Sequence, residues 1–111
     1  MIVEDHFDTR WAAAICLRDA GFRVIEAGDA KEAMSILSAG IHVDVVFSDV
    51  YMPGDFNGRF LAQWIAKHYP FVPVLLTSSA REDAPISGRS WEFISKPCDP
   101  DEVIRRLRAM L

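Results

Sequence analysis

Cysteine is scarce in this 111-residue chain: Cys16 and Cys98 lie far apart, fit no Cys-x-x-Cys spacing and have no nearby histidine pattern that would complete a zinc site. Disulfide staples and structural zinc are thereby excluded, and two reduced thiols in a cytoplasmic protein are expected. Long apolar runs are also missing, and Met1-Ile2-Val3 meets Glu4-Asp5 at once, so neither a membrane span nor a signal peptide is expected. Positive charge is not in excess. Twelve basic against 16 acidic residues leave a net charge of -4, which lacks the electrostatic footprint of a nucleic-acid binder. Internal repeats and low-complexity stretches are absent. His6, His42 and His68 show no metal-ligand spacing and read as surface or cap residues.

What is present is a recurring pattern. Four short apolar runs each end in a residue with chemistry: Ile2-Val3 in Glu4-Asp5, Val45-Val46-Phe47-Ser48 in Asp49, Val74-Leu75-Leu76 in Thr77, and Phe93-Ile94-Ser95 in Lys96. Near-continuous apolar runs separated by helix-length segments read as parallel strands buried on both faces, and such sheets place ligands off the carboxyl ends of their strands. The length suits one domain over residues 1–111 with a single core and leaves no room for a second.

The intervening segments carry their own signals. Residues 8–20, with Trp11, Ala14, Ile15 and Leu17 as the apolar set, read as a helix stopped by Gly21. Phe22 to Glu26 alternates like a strand, and Asp29 with Glu32 caps a helix closed by Gly40. Val43 to Asp49 is the clearest strand, and Asn57 caps a helix running through His68. Arg81 to Ser90 contains Pro85 and Gly88 and little apolar periodicity, so a fourth helix there is expected to be short or missing. Asp99-Pro100 opens a last helix with Val103, Ile104, Leu107 and Leu111 inward. These units make an α/β protein with a doubly wound, five-stranded parallel sheet.

If the strand ends share one rim, Glu4, Asp5 and Asp49 crowd three carboxylates together, an arrangement that a bound cation relieves. Oxygen ligands without cysteine or histidine favour a hard ion, and Mg2+ characteristically combines one or two carboxylates with waters and phosphate oxygens. Lys96 adds a compact positive charge and Thr77 a hydroxyl donor, both suited to phosphoryl oxygens.

In their order and spacing, Glu4-Asp5, Asp49 with Met52-Pro53-Gly54, Thr77 and Lys96-Pro97 resemble a response-regulator receiver domain over essentially the whole chain. The resemblance implies the flavodoxin-like strand order 2-1-3-4-5. It makes Asp49 the phosphoacceptor, Asp5 and Asp49 direct Mg2+ ligands, Glu4 a ligand through water, and the Tyr51 backbone carbonyl the last protein ligand. Thr77 and Phe93 become the switch pair. Such a domain takes its phosphoryl group from a histidine kinase or histidine phosphotransfer protein and alters a contact with a downstream protein. It is a switch that assists its own phosphorylation and dephosphorylation, with no role for a membrane or direct nucleic-acid contact. Tyr51 and Ser79 fall where the family tunes water access to the acyl phosphate.

Two readings of other classes compete. A hydrolase with Asp49 as nucleophile would want a second acid two residues on, where Tyr51 stands; a phosphorylation-independent docking module would leave the acid, hydroxyl and lysine set unused. Trp11, Trp64 and Trp91 read as core or half-buried packing, and Arg105, Arg106 and Arg108 as the exposed side of the last helix.

Overall fold

The computed structural model describes residues 1–79 and 91–111, which hold five strands and four helices. They are β1 (Ile2–Val3), α1 (Phe7–Asp19), β2 (Glu26–Ala27), α2 (Ala30–Ser38), β3 (Val46–Asp49), α3 (Gly58–His68), β4 (Val74–Ser78), β5 (Trp91–Ser95) and α4 (Pro100–Met110). The segment expected to hold a short or missing helix, Arg81 to Ser90, lies outside the described residues. All strand pairs are parallel, in the order β2-β1-β3-β4-β5.

Two apolar clusters fill the two faces of this sheet. One joins Val3, Val46, Val50 and Leu76 to Ala33 and Leu37 of α2 and Leu61, Ala62 and Ile65 of α3. The other joins Ile2, Val45, Leu75 and Ile94 to Ala14 and Leu17 of α1 and Val103 and Leu107 of α4. Burial from both sides explains why β4, the strand next to the sheet centre, is buried at all five positions and carries no polar alternation before Thr77. Among the described residues no helix is long and apolar enough to cross a membrane.

The local signals work as the residue chemistry dictates. Asp29 Oδ1 accepts from Glu32 N–H at 2.8 Å, Asn57 Oδ1 from Phe60 N–H at 2.9 Å, and Asp99 Oδ1 from Asp101 N–H at 2.9 Å. Each satisfies a first-turn donor that would otherwise be orphaned, worth about 1 kcal/mol apiece. Gly21 and Gly40 follow α1 and α2 with φ of 98° and 81°, the left-handed region that closes a helix without Cβ strain.

Several expectations need correction. The Phe22 to Glu26 strand shortens and shifts to Glu26–Ala27, because β1 offers only Ile2 and Val3 as partners; Phe22 and Val24 pack instead against the core shared by α1 and α4. β3 pairs only from Val46, where β4 supplies its first partner, Val74, just past Pro73, although Val43 and Val45 are buried. β5 starts earlier than Phe93, at Trp91, which pairs with Val74. Trp11 and Ile15 point outward: α1 is apolar on two sides, and the sheet takes the side of Ala14 and Leu17. Leu111 lies past the end of α4 and is 63% exposed, while Val103 and Leu107 are buried as expected.

Candidate functional site

Strand register brings the polar residues to one rim. Val3 pairs with Ser48, which sets Glu4 level with Asp49; Asp49 pairs with Thr77, and Ser78 with Ser95, so that Lys96 follows directly. Backbone hydrogen bonds extend the alignment past the strand ends, from Glu4 N–H to the Ala27 carbonyl at 3.0 Å, Val50 N–H to Thr77 at 3.0 Å and Lys96 N–H to Ser78 at 2.9 Å. Glu4, Asp5, Asp49, Tyr51, Ser78, Ser79 and Lys96 line a common cleft of about 480 Å³.

Within it, Lys96 Nζ donates to Asp49 Oδ2 at 3.2 Å across 47 residues of sequence. Thr77 is buried, and its Oγ1 has no hydrogen-bond partner among the described residues, which costs on the order of 1–3 kcal/mol until an acceptor or donor arrives. Phe93 is half-buried against the same core as Leu76, its register partner. Tyr51 is exposed at the cleft wall.

Two contributors to this geometry, Gly58 and Arg10, escaped the sequence reading. Gly58 donates its N–H to the Val50 carbonyl at 2.7 Å, and a Cβ there would stand 2.9 Å from Asp49 C and from Val50 Cα, with the Asp49 carbonyl oxygen closer still. Its place after the Asn57 cap was the available signal. Arg10 donates to the Glu4 carbonyl at 3.0 Å and to Glu26 Oε1 at 3.2 Å, tying the ends of β1 and β2 together; no spacing rule announces that. His6, read as a surface or cap residue, caps α1 through its backbone only, and its ring stands close to the Glu4 and Asp5 carboxylates.

The model of the response regulator receiver domain family matches residues 1–108. The chain belongs to this family. A relative is the sensor kinase CckA of Brucella abortus, 30% identical over the whole of this chain, which spans 12% of that protein's length. The crystal structure of the receiver domain from the hybrid histidine kinase CckA superposes with a TM-score of 0.83 at 31% identity, over 99% of this chain and 95% of the other. The response regulator protein TrrA of Thermotoga maritima, solved in complex with Mg(2+)-BeF, has the same fold with a TM-score of 0.88 at 23% identity, over 99% of this chain and 96% of the other.

The electrostatics of this receiver site suit a divalent cation. Burial first, then the hydrogen bond with Asp49 and its negative charge, push the Glu4 carboxyl up from 4.5 to about 7, while the Lys96 charge and the His6 N–H pull the other way. The donor set is oxygen-rich and short of positive charge, so Glu4, Asp5 and Asp49 fit a hard ion such as Mg2+. A stability prediction follows for the metal-free protein. The unfolded chain releases the Glu4 proton near 4.5 and the folded chain near 7, so the folded state binds more protons in that window. Stability is therefore full below the lower value and declines by about 3 kcal/mol as pH rises through the upper one. Glu4→Gln keeps the shape without the ionisation and is expected to flatten the decline. Urea melts of both proteins with chelator present, from about pH 4 to 8, measure it; parallel pH profiles would show that Glu4 is not the group responsible.

Proposed function

We propose that this domain, one unit over residues 1–111, is a phospho-switched signalling module that takes a phosphoryl group from a phosphohistidine onto Asp49. The observation that carries the reading is the Lys96 ammonium 3.2 Å from Asp49 Oδ2 in a carboxylate-lined cleft. An Asp49 oxygen attacks phosphorus as the P–N bond breaks, and the departing electron pair stays on the imidazole nitrogen, which is protonated from solvent. Lys96 offsets charge on the transferred oxygens. Asp5 and Asp49, Glu4 through water, and the Tyr51 backbone carbonyl would hold Mg2+, which when bound would add further neutralisation of those oxygens.

Thr77 Oγ1 then donates to a phosphoryl oxygen, gaining the partner it lacks. Thr77 is drawn inward, and Phe93 turns into the space released, changing the surface offered to a downstream protein. If the Phe93 ring keeps one rotamer with and without a bound phosphoryl mimic, the switch runs through another residue. The same constellation lets water reclaim the phosphoryl group, so the domain assists both its loading and its unloading.

The donor reaches Asp49 over α1. Phe7, Trp11 and Ile15 repeat every four residues with 61%, 52% and 36% exposure, forming an apolar stripe that starts two residues after Asp5. A helical phosphohistidine protein seated there brings its imidazole to the cleft. Trp11→Ala is expected to slow phosphotransfer from such a protein about tenfold or more, since aromatic anchors dominate interface energetics. Loading from acetyl phosphate stays unchanged, because the small donor needs no docking surface. Equal loss with both donors would assign Trp11 to the fold instead.

The decisive experiment is incubation with acetyl phosphate and Mg2+ followed by intact-mass measurement. One phosphoryl adduct, labile to hydroxylamine and lost with chelator, is expected. A protein that stays unmodified would favour the docking-module reading.

A further inference from the structure

We propose that His6 turns the acidic pocket into a site for borderline transition-metal divalents, its imidazole joining Glu4 and Asp5 around one ion. The ligand atoms of these three side chains all lie within 4.8 Å of one another. His6 also lines the cleft that holds Asp49 and Lys96. The proposal rests on the reading above that this cleft takes a divalent cation.

The ring is available for the task. His6 stands at the N-cap of α1, but its backbone does the capping work: its N–H donates to Glu4 Oε1 at 3.4 Å, its carbonyl accepts from Arg10 N–H at 2.9 Å, and its side chain makes no capping hydrogen bond. The backbone is thus anchored beside the acids, while the ring is exposed and gives up no capping hydrogen bond when it turns to an ion. Asp49 is outside the closely spaced trio, and its Oδ2 is engaged by Lys96.

Ligand chemistry separates this site from one built of oxygens alone. Mg2+ demands octahedral oxygen coordination and gains little from an imidazole, whereas Co2+, Ni2+ and Zn2+ bind nitrogen strongly and follow the usual ascending affinity order. Two carboxylates balance the charge of a divalent ion, and three protein ligands leave positions open for water or a phosphoryl oxygen. His6 therefore widens the set of ions that the receiver accepts towards those metals.

Calorimetric titration of the 111-residue chain with Co2+ and, separately, Mg2+, together with the visible spectrum of the Co2+ form, tests this. His6→Asn is the matched variant, because asparagine is a favoured N-cap and preserves the start of α1. The expected result is a loss of about tenfold or more in Co2+ affinity with altered visible bands, against less than about a twofold change for Mg2+. Unchanged Co2+ affinity and spectrum in His6→Asn, with Mg2+ still bound by the parent, would overturn the imidazole ligand and leave the Mg2+ reading standing. Histidine-dependent Co2+ binding in a parent that ignores Mg2+ would uphold the inference and remove that reading. Binding of neither ion overturns both.

Discussion

Asp49→Asn is expected to accept no detectable phosphoryl group under conditions that load the parent protein fully. The substitution keeps the side chain's size and its place at the end of β3 beside Thr77. It removes the anionic oxygen, and an uncharged amide is a poor nucleophile towards phosphorus. The other carboxylates do not substitute. Glu4 is only 6% exposed and is screened from a donor. Asp5 follows β1, and the Lys96 ammonium goes to Asp49 Oδ2 instead. Loss of one reacting group from a constellation of this kind typically costs on the order of a thousandfold or more in rate. Intact-mass measurement after acetyl phosphate treatment reads the outcome directly. An adduct of undiminished yield on Asp49→Asn would move the acceptor to another residue.

Gly58→Val is expected to destabilise the fold by about 3 kcal/mol or more and to disturb the site at the same time. Any Cβ at this position meets backbone atoms of Asp49 and Val50, which cannot swing aside as a flexible side chain would. Relief requires α3 to retreat from the end of β3, breaking the 2.7 Å bond from Gly58 N–H to the Val50 carbonyl and pulling Ile65 and Leu61 out of fully buried positions. Because the clash falls on the backbone of Asp49, the proposed phosphoacceptor, phosphoryl loading is expected to fall even where the variant remains folded. Urea denaturation and acetyl phosphate loading measure the two effects separately. A variant as stable as the parent would mean that the loop between β3 and α3 absorbs the added atoms cheaply. Gly58→Ala, with less bulk beyond the Cβ, is expected to show the same changes more weakly.

Much of this molecule was legible in its residues. Val74-Leu75-Leu76 and Val45-Val46-Phe47 announce strands buried on both faces because neither contains a polar residue to turn towards water. Asp29, Asn57 and Asp99 announce helix starts because a short oxygen-bearing side chain can reach a first-turn N–H, and all three do. The chemistry at the strand ends was visible for the same reason: a parallel sheet sends every carboxyl end to one rim, so Asp49, Thr77 and Lys96 needed only correct strand assignment to be brought together.

What the tertiary structure decided concerns choices between equivalent local options. Two apolar sides of α1 are equally good in isolation, and only the sheet's width and the neighbouring α4 select Ala14 and Leu17 for burial, leaving Trp11 and Ile15 outside. The alternation of Phe22 to Glu26 is sound strand patterning, yet a ladder extends only as far as its partner, and β1 stops after two residues. Likewise nothing adjacent in sequence reveals that Gly58 must clear the Asp49 carbonyl. Periodicity and capping are properties of neighbours along the chain, whereas register, facing and close approach belong to segments that meet only after folding.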